Sequence, residues 1–187
     1  MRALNIQPQC AMAIYAHPDD ADVAAGGLLA QWAQDGCAVH LVVVCDGDKG
    51  SHVLSADAGA VREVRGAEVE FAADLLGAAT VTKLERPDGE VENDVELRAE
   101  LVGLIRQYRP EVVVGPDPTA TFFAGVYVNH RDHRETGWAL LDAVAPRPRC
   151  RSISPIEANH TRSPVSYSVA RTNPTSWPTS PPRSTPR

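Results

Sequence analysis

The chain has no basic excess. Its formal net charge is −6 and its pI is near 5.5. A nucleic-acid partner, which asks for a positive face, is therefore excluded. No apolar run approaches the roughly 20 residues of a membrane span, so no membrane partner is expected. The first ten residues hold Arg2 and Pro8 but no apolar stretch of signal-peptide length. The four cysteines, Cys10, Cys37, Cys45 and Cys150, form no C-x-x-C pair. Cys37 and Cys45 sit in or beside apolar sequence and read as buried thiols. A reducing, cytoplasmic setting fits this usage. No G-x-G-x-x-G follows a strand-like run, which counts against a nucleotide-binding domain.

Charge is also distributed unevenly. Residues 1–145 hold 11 Lys+Arg against 23 Asp+Glu, whereas residues 146–187 hold seven Arg and a single acid, Glu157. That second stretch has nine Pro, eight Ser and five Thr, and no Gly, Leu, Phe, Asp or Lys. Such a composition cannot bury enough apolar surface to offset its ordering entropy, so residues 146–187 are expected to be disordered. Arg, Pro, Ser and Thr also dominate shifted frames of GC-rich genes. The abrupt change after residue 145 favours out-of-frame translation over a genuine Pro/Ser-rich tail.

What is present in residues 1–145 is strand–helix alternation. Apolar or β-rich runs at 11–16, 38–45, 80–84 and 112–115 read as strands. Helical patterns cover 24–34, 61–76, 93–108 and 132–144, with Gly36 and Gly77 as stops. Asn93 to Glu96 has capping-box spacing. The loop 46–58 is longer than an ordinary connection. The expected class is α/β: a Rossmann-like parallel sheet with helices on both faces. With strand order 3-2-1-4, a crevice opens where strands one and four lie side by side.

The chemistry-bearing residues fall at those two strand ends. His17-Pro18-Asp19-Asp20 follows the first strand, and Asn129-His130-Arg131-Asp132-His133-Arg134 follows the fourth. Adjacent Asp residues repel unless a cation or a proton sits between them. Pro18 stiffens the turn, and positions i and i+3 can point the same way. His17 and Asp20 can then bind one metal while Asp19 faces a water. A polar turn whose Asp caps the next helix is the alternative. His130 and His133, three apart at a helix start, share one side; surface or capping histidines are the alternative there. Two His, one carboxylate and an open position suit catalytic Zn²⁺, and Fe²⁺ or Mn²⁺ accepts similar ligands.

The motifs Ala-His-Pro-Asp-Asp after strand one, Gly26-Gly27, Arg65-x-x-Glu68 before Leu76-Gly77, and His130-x-x-His133 together resemble the LmbE-like (PIG-L) zinc-dependent N-deacetylase family. The resemblance covers residues 11 to about 145 and implies a Rossmann-like hydrolase acting on N-acetylglucosamine-type or related acetamido substrates. It implies zinc on His17, Asp20 and His133, with Asp19 as general base. It further implies that His130 stabilises the oxyanion or protonates the leaving amine, with Asp132 behind it. Arg65 and Asp88 fall where sugar-contacting residues lie. For Arg65 a helix-surface role is the alternative, and for Asp88 the turn Pro87-Asp88-Gly89.

The chain departs from the family pattern in three places. Ala21 stands where Glu is usual, Tyr127 is near but out of register with the family's tyrosine, and family members continue past the last helix with more strand and helix. A truncated, catalytically inactive metal-binding remnant is thus the alternative function. Homo-oligomerisation is left open.

Overall fold

The computed structural model describes residues 6–53, 55–123 and 127–145 and the backbone of 168–172. In chain order the elements are β1 (Cys10–Tyr15), α1 (Asp20–Gln34), β2 (Ala38–Cys45), α2 (Ala58–Leu76), β3 (Thr80–Arg86), α3 (Val95–Tyr108), β4 (Val112–Pro116), β5 (Phe122–Phe123), β6 (Tyr127–Val128), α4 (Arg131–Val144) and β7 (Ser168–Thr172). The main sheet is parallel, in the order β3-β2-β1-β4-β7; β5 and β6 form a separate antiparallel pair. The expected α/β class and the 3-2-1-4 order are both present.

Alternation along the strands divides the core into two layers. Met12, Ile14, Val42, Val44 and Val113 face Leu97, Leu101 and Ile105 of α3 and Leu140 and Ala143 of α4. Ala11, Ala13, Tyr15, Val39, Leu41 and Val114 face Leu29 and Trp32 of α1 and Ala73 of α2. Because β1 and β2 are covered on both sides, they read as unbroken apolar runs.

The approach of α4 to β4 depends on two residues without side chains. A Cβ on Gly115 would lie 2.5 Å from Leu140 Cδ2 and 2.8 Å from the Ile14 carbonyl oxygen. A Cβ on Gly137 would lie 2.7 Å from the Pro116 carbonyl oxygen and 2.9 Å from Pro118 Cδ.

Two expectations are corrected. The cap of α3 is Asp94 rather than Asn93: its carboxylate accepts the Leu97 N–H at 2.6 Å and pairs with Arg86 at 3.1 Å. Asn93 is occupied otherwise, donating to Asp142 and accepting from Arg98. The helix α1 starts at Asp20, four residues earlier than its apolar pattern. One strand is described within the tail. Ser168–Thr172 pairs with β4 from Val112↔Ser168 to Pro116↔Thr172. An open strand edge presents unpaired backbone groups, and the segment from 165 to 173 contains no proline to prevent pairing. The remainder of 146–187 lies outside the described residues. Among the described residues, no helix is long and apolar enough to cross a membrane.

Candidate metal centre

The chain runs outward from β1 through β2 to β3, then returns to the other side of β1 as β4. The carboxyl ends of β1 and β4 are where the two polar clusters meet. His17 leaves β1 in a turn whose backbone closes from the Asp20 N–H to the His17 carbonyl at 3.3 Å. The His17 N–H donates to Asp20 Oδ2 at 2.8 Å, folding that carboxylate back over the turn. From the other side, α4 begins at Arg131 and brings in His133 within its first turn.

Three donors converge. His17 Nδ1 lies 3.1 Å from His133 Nε2 and 3.3 Å from Asp20 Oδ2, and His133 Nε2 lies 3.1 Å from Asp20 Oδ1. A tetrahedral ion with bonds near 2.0–2.2 Å needs donor separations of about 3.3–3.6 Å, so a small outward adjustment of the donors around an ion is all that this triangle asks. The donor set is His₂Asp, with the fourth direction left to water or substrate. The residues therefore fit a catalytic divalent metal.

The outer ring nitrogens are also engaged. His17 Nε2 lies 3.4 Å from Asp88 Oδ1 and 3.3 Å from Asp132 Oδ2. Asp132 is fully buried; it accepts the Gly89 N–H at 2.6 Å, the Val91 N–H at 3.3 Å and the Cys45 thiol at 3.5 Å. Gly89 reaches it from the turn closed by Glu90 N–H to the Pro87 carbonyl, with φ of 79°. Burial and then the Asp132 charge raise the Cys45 pKa far above the ordinary thiol value, in keeping with a thiol that donates to that carboxylate.

The family resemblance implies Asp132 behind His130. Its carboxylate is nearer His17, at 3.3 Å, than His130 Nδ1, at 3.8 Å. It is the Asp132 backbone N–H that serves His130, donating to Nδ1 at 3.3 Å. This leaves the hydrogen of a neutral His130 on Nε2. His130 caps α4 and is about half exposed, with its ring 4.9 Å from that of His17.

Asp19 lies outside the triangle. Its carboxylate accepts from Arg65 Nη2 at 3.0 Å, and Arg65 also holds Glu68 at 2.7 Å. Arg65 is thus brought to Asp19. Asp88 is brought to His17, and its carbonyl accepts from Lys49 Nζ. Asn129 was read only as part of the polar run. It is 2% exposed, and its Oδ1 lies 3.0 Å from His133 Nδ1. Its position four residues before His133 was the available signal.

Burial opposes a charge on His17, but the Asp20 hydrogen bond and the carboxylates of Asp20, Asp88 and Asp132 outweigh it and raise the pKa from 6.5 to about 9. Burial likewise pushes Asp20 up, and the adjoining imidazoles of His133 and His17 more than reverse this, holding it well below the usual carboxylate range. Without metal, the raised His17 pKa contributes stability that is complete below about 6.5 and lost as pH rises through about 9. The lowered Asp20 pKa contributes stability above its ordinary value of 3.8, which is lost as pH falls. A metal must displace the His17 proton. Zinc affinity is expected to rise about tenfold per pH unit and to level off near pH 9, with one proton released per ion. Calorimetry in buffers of different ionisation enthalpy measures this; a flat profile below pH 9 would contradict it.

The family described as PIG-L, GlcNAc-PI de-N-acetylase, matches residues 12–144. A diacetylchitobiose deacetylase of Thermococcus kodakarensis is 31% identical over 136 residues, covering 72% of this chain and 48% of that protein. A 1D-myo-inositol 2-acetamido-2-deoxy-alpha-D-glucopyranoside deacetylase of Kineococcus radiotolerans is 27% identical over 169 residues, covering 74% and 45%. The solved structure of N,N'-diacetylchitobiose deacetylase from Pyrococcus horikoshii, complexed with its inhibitor MPG, superposes with a TM-score of 0.68 at 29% identity, over 73% of this chain and 49% of that one. The chain spans about half the length of the curated relatives it matches. With the match running from β1 through the end of α4, and so through both strand ends that build the centre, the chain belongs to the PIG-L family.

Proposed function

We propose that the chain is a zinc-dependent amidohydrolase that removes the acetyl group from an acetamido sugar of the N-acetylglucosamine class. The observation that supports this most is the His17–Asp20–His133 triangle, with donor separations of 3.1–3.3 Å, in a PIG-L family member. These three residues would hold the ion, and Fe²⁺ or Mn²⁺ suits the same donors. Bound there, the ion supplies Lewis-acid polarisation of the acetamide and lowers the pKa of water.

The chain's own groups do the rest. Asp19, held in place by Arg65, accepts the proton of the attacking water. His130 offers its Nε2 hydrogen to the oxyanion as the carbonyl carbon becomes tetrahedral. Proton return to nitrogen then breaks the C–N bond, leaving amine and acetate. The Asp132 carboxylate steadies the His17 ring. Asp88 and Arg65 are the proposed sugar contacts. The setting proposed is cytoplasmic, with a small-molecule substrate.

The purified chain is expected to bind one Zn²⁺, to lose it in His17→Ala and in His133→Ala, and to release amine from N-acetylglucosamine derivatives. Elemental analysis and an amine assay measure both. No metal after reconstitution, or full retention in both variants, would sink the reading. The rival reading, a metal-binding chain without turnover, predicts one zinc per chain with no amine released from any acetamide.

A further inference from the structure

Asn129 ends the segment that leads from β6 into α4, and its surroundings fix which way its amide points. The backbone N–H donates to the Thr121 carbonyl at 2.9 Å. Nδ2 donates to the Ala120 carbonyl at 2.8 Å and reaches the Asp117 carbonyl at 3.5 Å. Carbonyl oxygens only accept, so the amide nitrogen must face them. Oδ1 is therefore turned to the opposite side, 3.0 Å from His133 Nδ1. An amide oxygen also only accepts, so the hydrogen of a neutral His133 belongs on Nδ1. The bare lone pair is then on Nε2, the atom 3.1 Å from both His17 Nδ1 and Asp20 Oδ1.

We infer that Asn129 is a positioning residue that locks His133 in the Nδ1–H tautomer and so presents Nε2 to a divalent cation. The cation half of this inference rests on the proposed metal site; the tautomer half does not. The two histidines differ in what backs them. His17 has the carboxylates of Asp88 and Asp132 behind Nε2, whereas His133 has a neutral amide behind Nδ1. His17 can be held by charge alone, but His133 depends on a single, directional hydrogen bond. That bond in turn depends on the 117–121 loop, whose carbonyls orient the amide.

The test is long-range ¹H–¹⁵N correlation on the metal-free, ¹⁵N-labelled full chain at mildly alkaline pH, alongside Zn²⁺ titration. The wild-type chain is expected to show hydrogen on His133 Nδ1. Asn129→Ala should lose that tautomer and weaken zinc binding by about 10- to 100-fold. Asn129→Asp keeps an acceptor for Nδ1–H but cannot donate to the Ala120 carbonyl, and it is expected to keep both the tautomer and an affinity within a few-fold of wild type. Unchanged zinc affinity in Asn129→Ala overturns the inference. So does an equal loss in Asn129→Asp, which would make Asn129 a brace for the loop only. Should Asn129→Ala fail to fold, the wild-type spectrum decides, since hydrogen on Nε2 overturns the lock. A wild-type chain that shows Nδ1–H but takes up no zinc supports the lock and overturns the metal-centre reading instead.

Discussion

Asp19→Asn is expected to keep its zinc and lose turnover by about 10²–10⁴-fold, the usual contribution of a general base. Asp20→Asn is expected to lose the zinc itself. The two carboxylates are chain neighbours with different partners. Asp20 is tied to the His17 N–H at 2.8 Å and to His133 Nε2 at 3.1 Å, inside the donor triangle. Asp19 is outside it, 60% exposed and held by Arg65 at 3.0 Å. An amide is nearly isosteric with a carboxylate but cannot take a proton at neutral pH. At position 19 the loss should therefore fall on kcat, with metal content intact. At position 20 the amide brings no charge to a site whose other two donors are neutral imidazoles. Metal content and amine release, measured on both variants, check the assignment; equal metal loss in the two would refute it.

Gly137→Ala is expected to destabilise the chain by about 1–3 kcal/mol, the usual cost of overpacking. It should also weaken zinc binding. A helix-interior Gly→Ala change normally gains roughly 0.5–1 kcal/mol, so the expected sign is the reverse of the propensity rule. The added methyl would meet the Pro116 carbonyl oxygen at 2.7 Å and the Pro118 ring at 2.9 and 3.0 Å. Neither backbone nor a proline ring can rotate away, so α4 must shift outward. Gly137 lies four residues after His133 on the same helix face, and the shift carries the imidazole with it. Gly103→Ala is the control: it also lies inside a helix, α3, but a Cβ there meets nothing within 4 Å. Urea midpoints of the two variants should move in opposite directions. Destabilisation in both, or in neither, would show that the close approach at Gly137 is not what sets α4.

The elements that could be read from the chain alone were those with a local signal. The apolar runs of β1, β2 and β4 and the helix stop at Gly77 declare themselves by residue type, whereas the 3-2-1-4 order enters from the sequence only as a condition that the fold then meets. His17, Asp20 and His133 could be grouped because a 3-2-1-4 order makes strands one and four neighbours, and because the motifs resemble those of a metal-dependent family. Other features depend on long-range partners. Asn93 and Asp94 are both good caps, and the choice between them is made by Arg86 of β3. Asp132 looks like a partner for its neighbour His130, yet the tilt of α4 sends its carboxylate to His17. The β5–β6 pair, two residues per strand, is too short to show any periodicity. In β7, an open edge on β4 prevails over an unpromising local composition.

The two imidazoles that face one another are 116 positions apart in the chain. An ion held between them is therefore a clasp on a very long loop, closed across the junction of β1 and β4. No shorter segment of the protein can assemble the three donors, so an unfolded or half-folded chain has little to offer a metal. Uptake must follow the docking of β4 and α4 onto β1, and the free energy of binding is then returned to that docking. Zinc in this protein would act as a late fastener: it seals the seam where the sheet reverses its winding, and chelation would loosen that seam first.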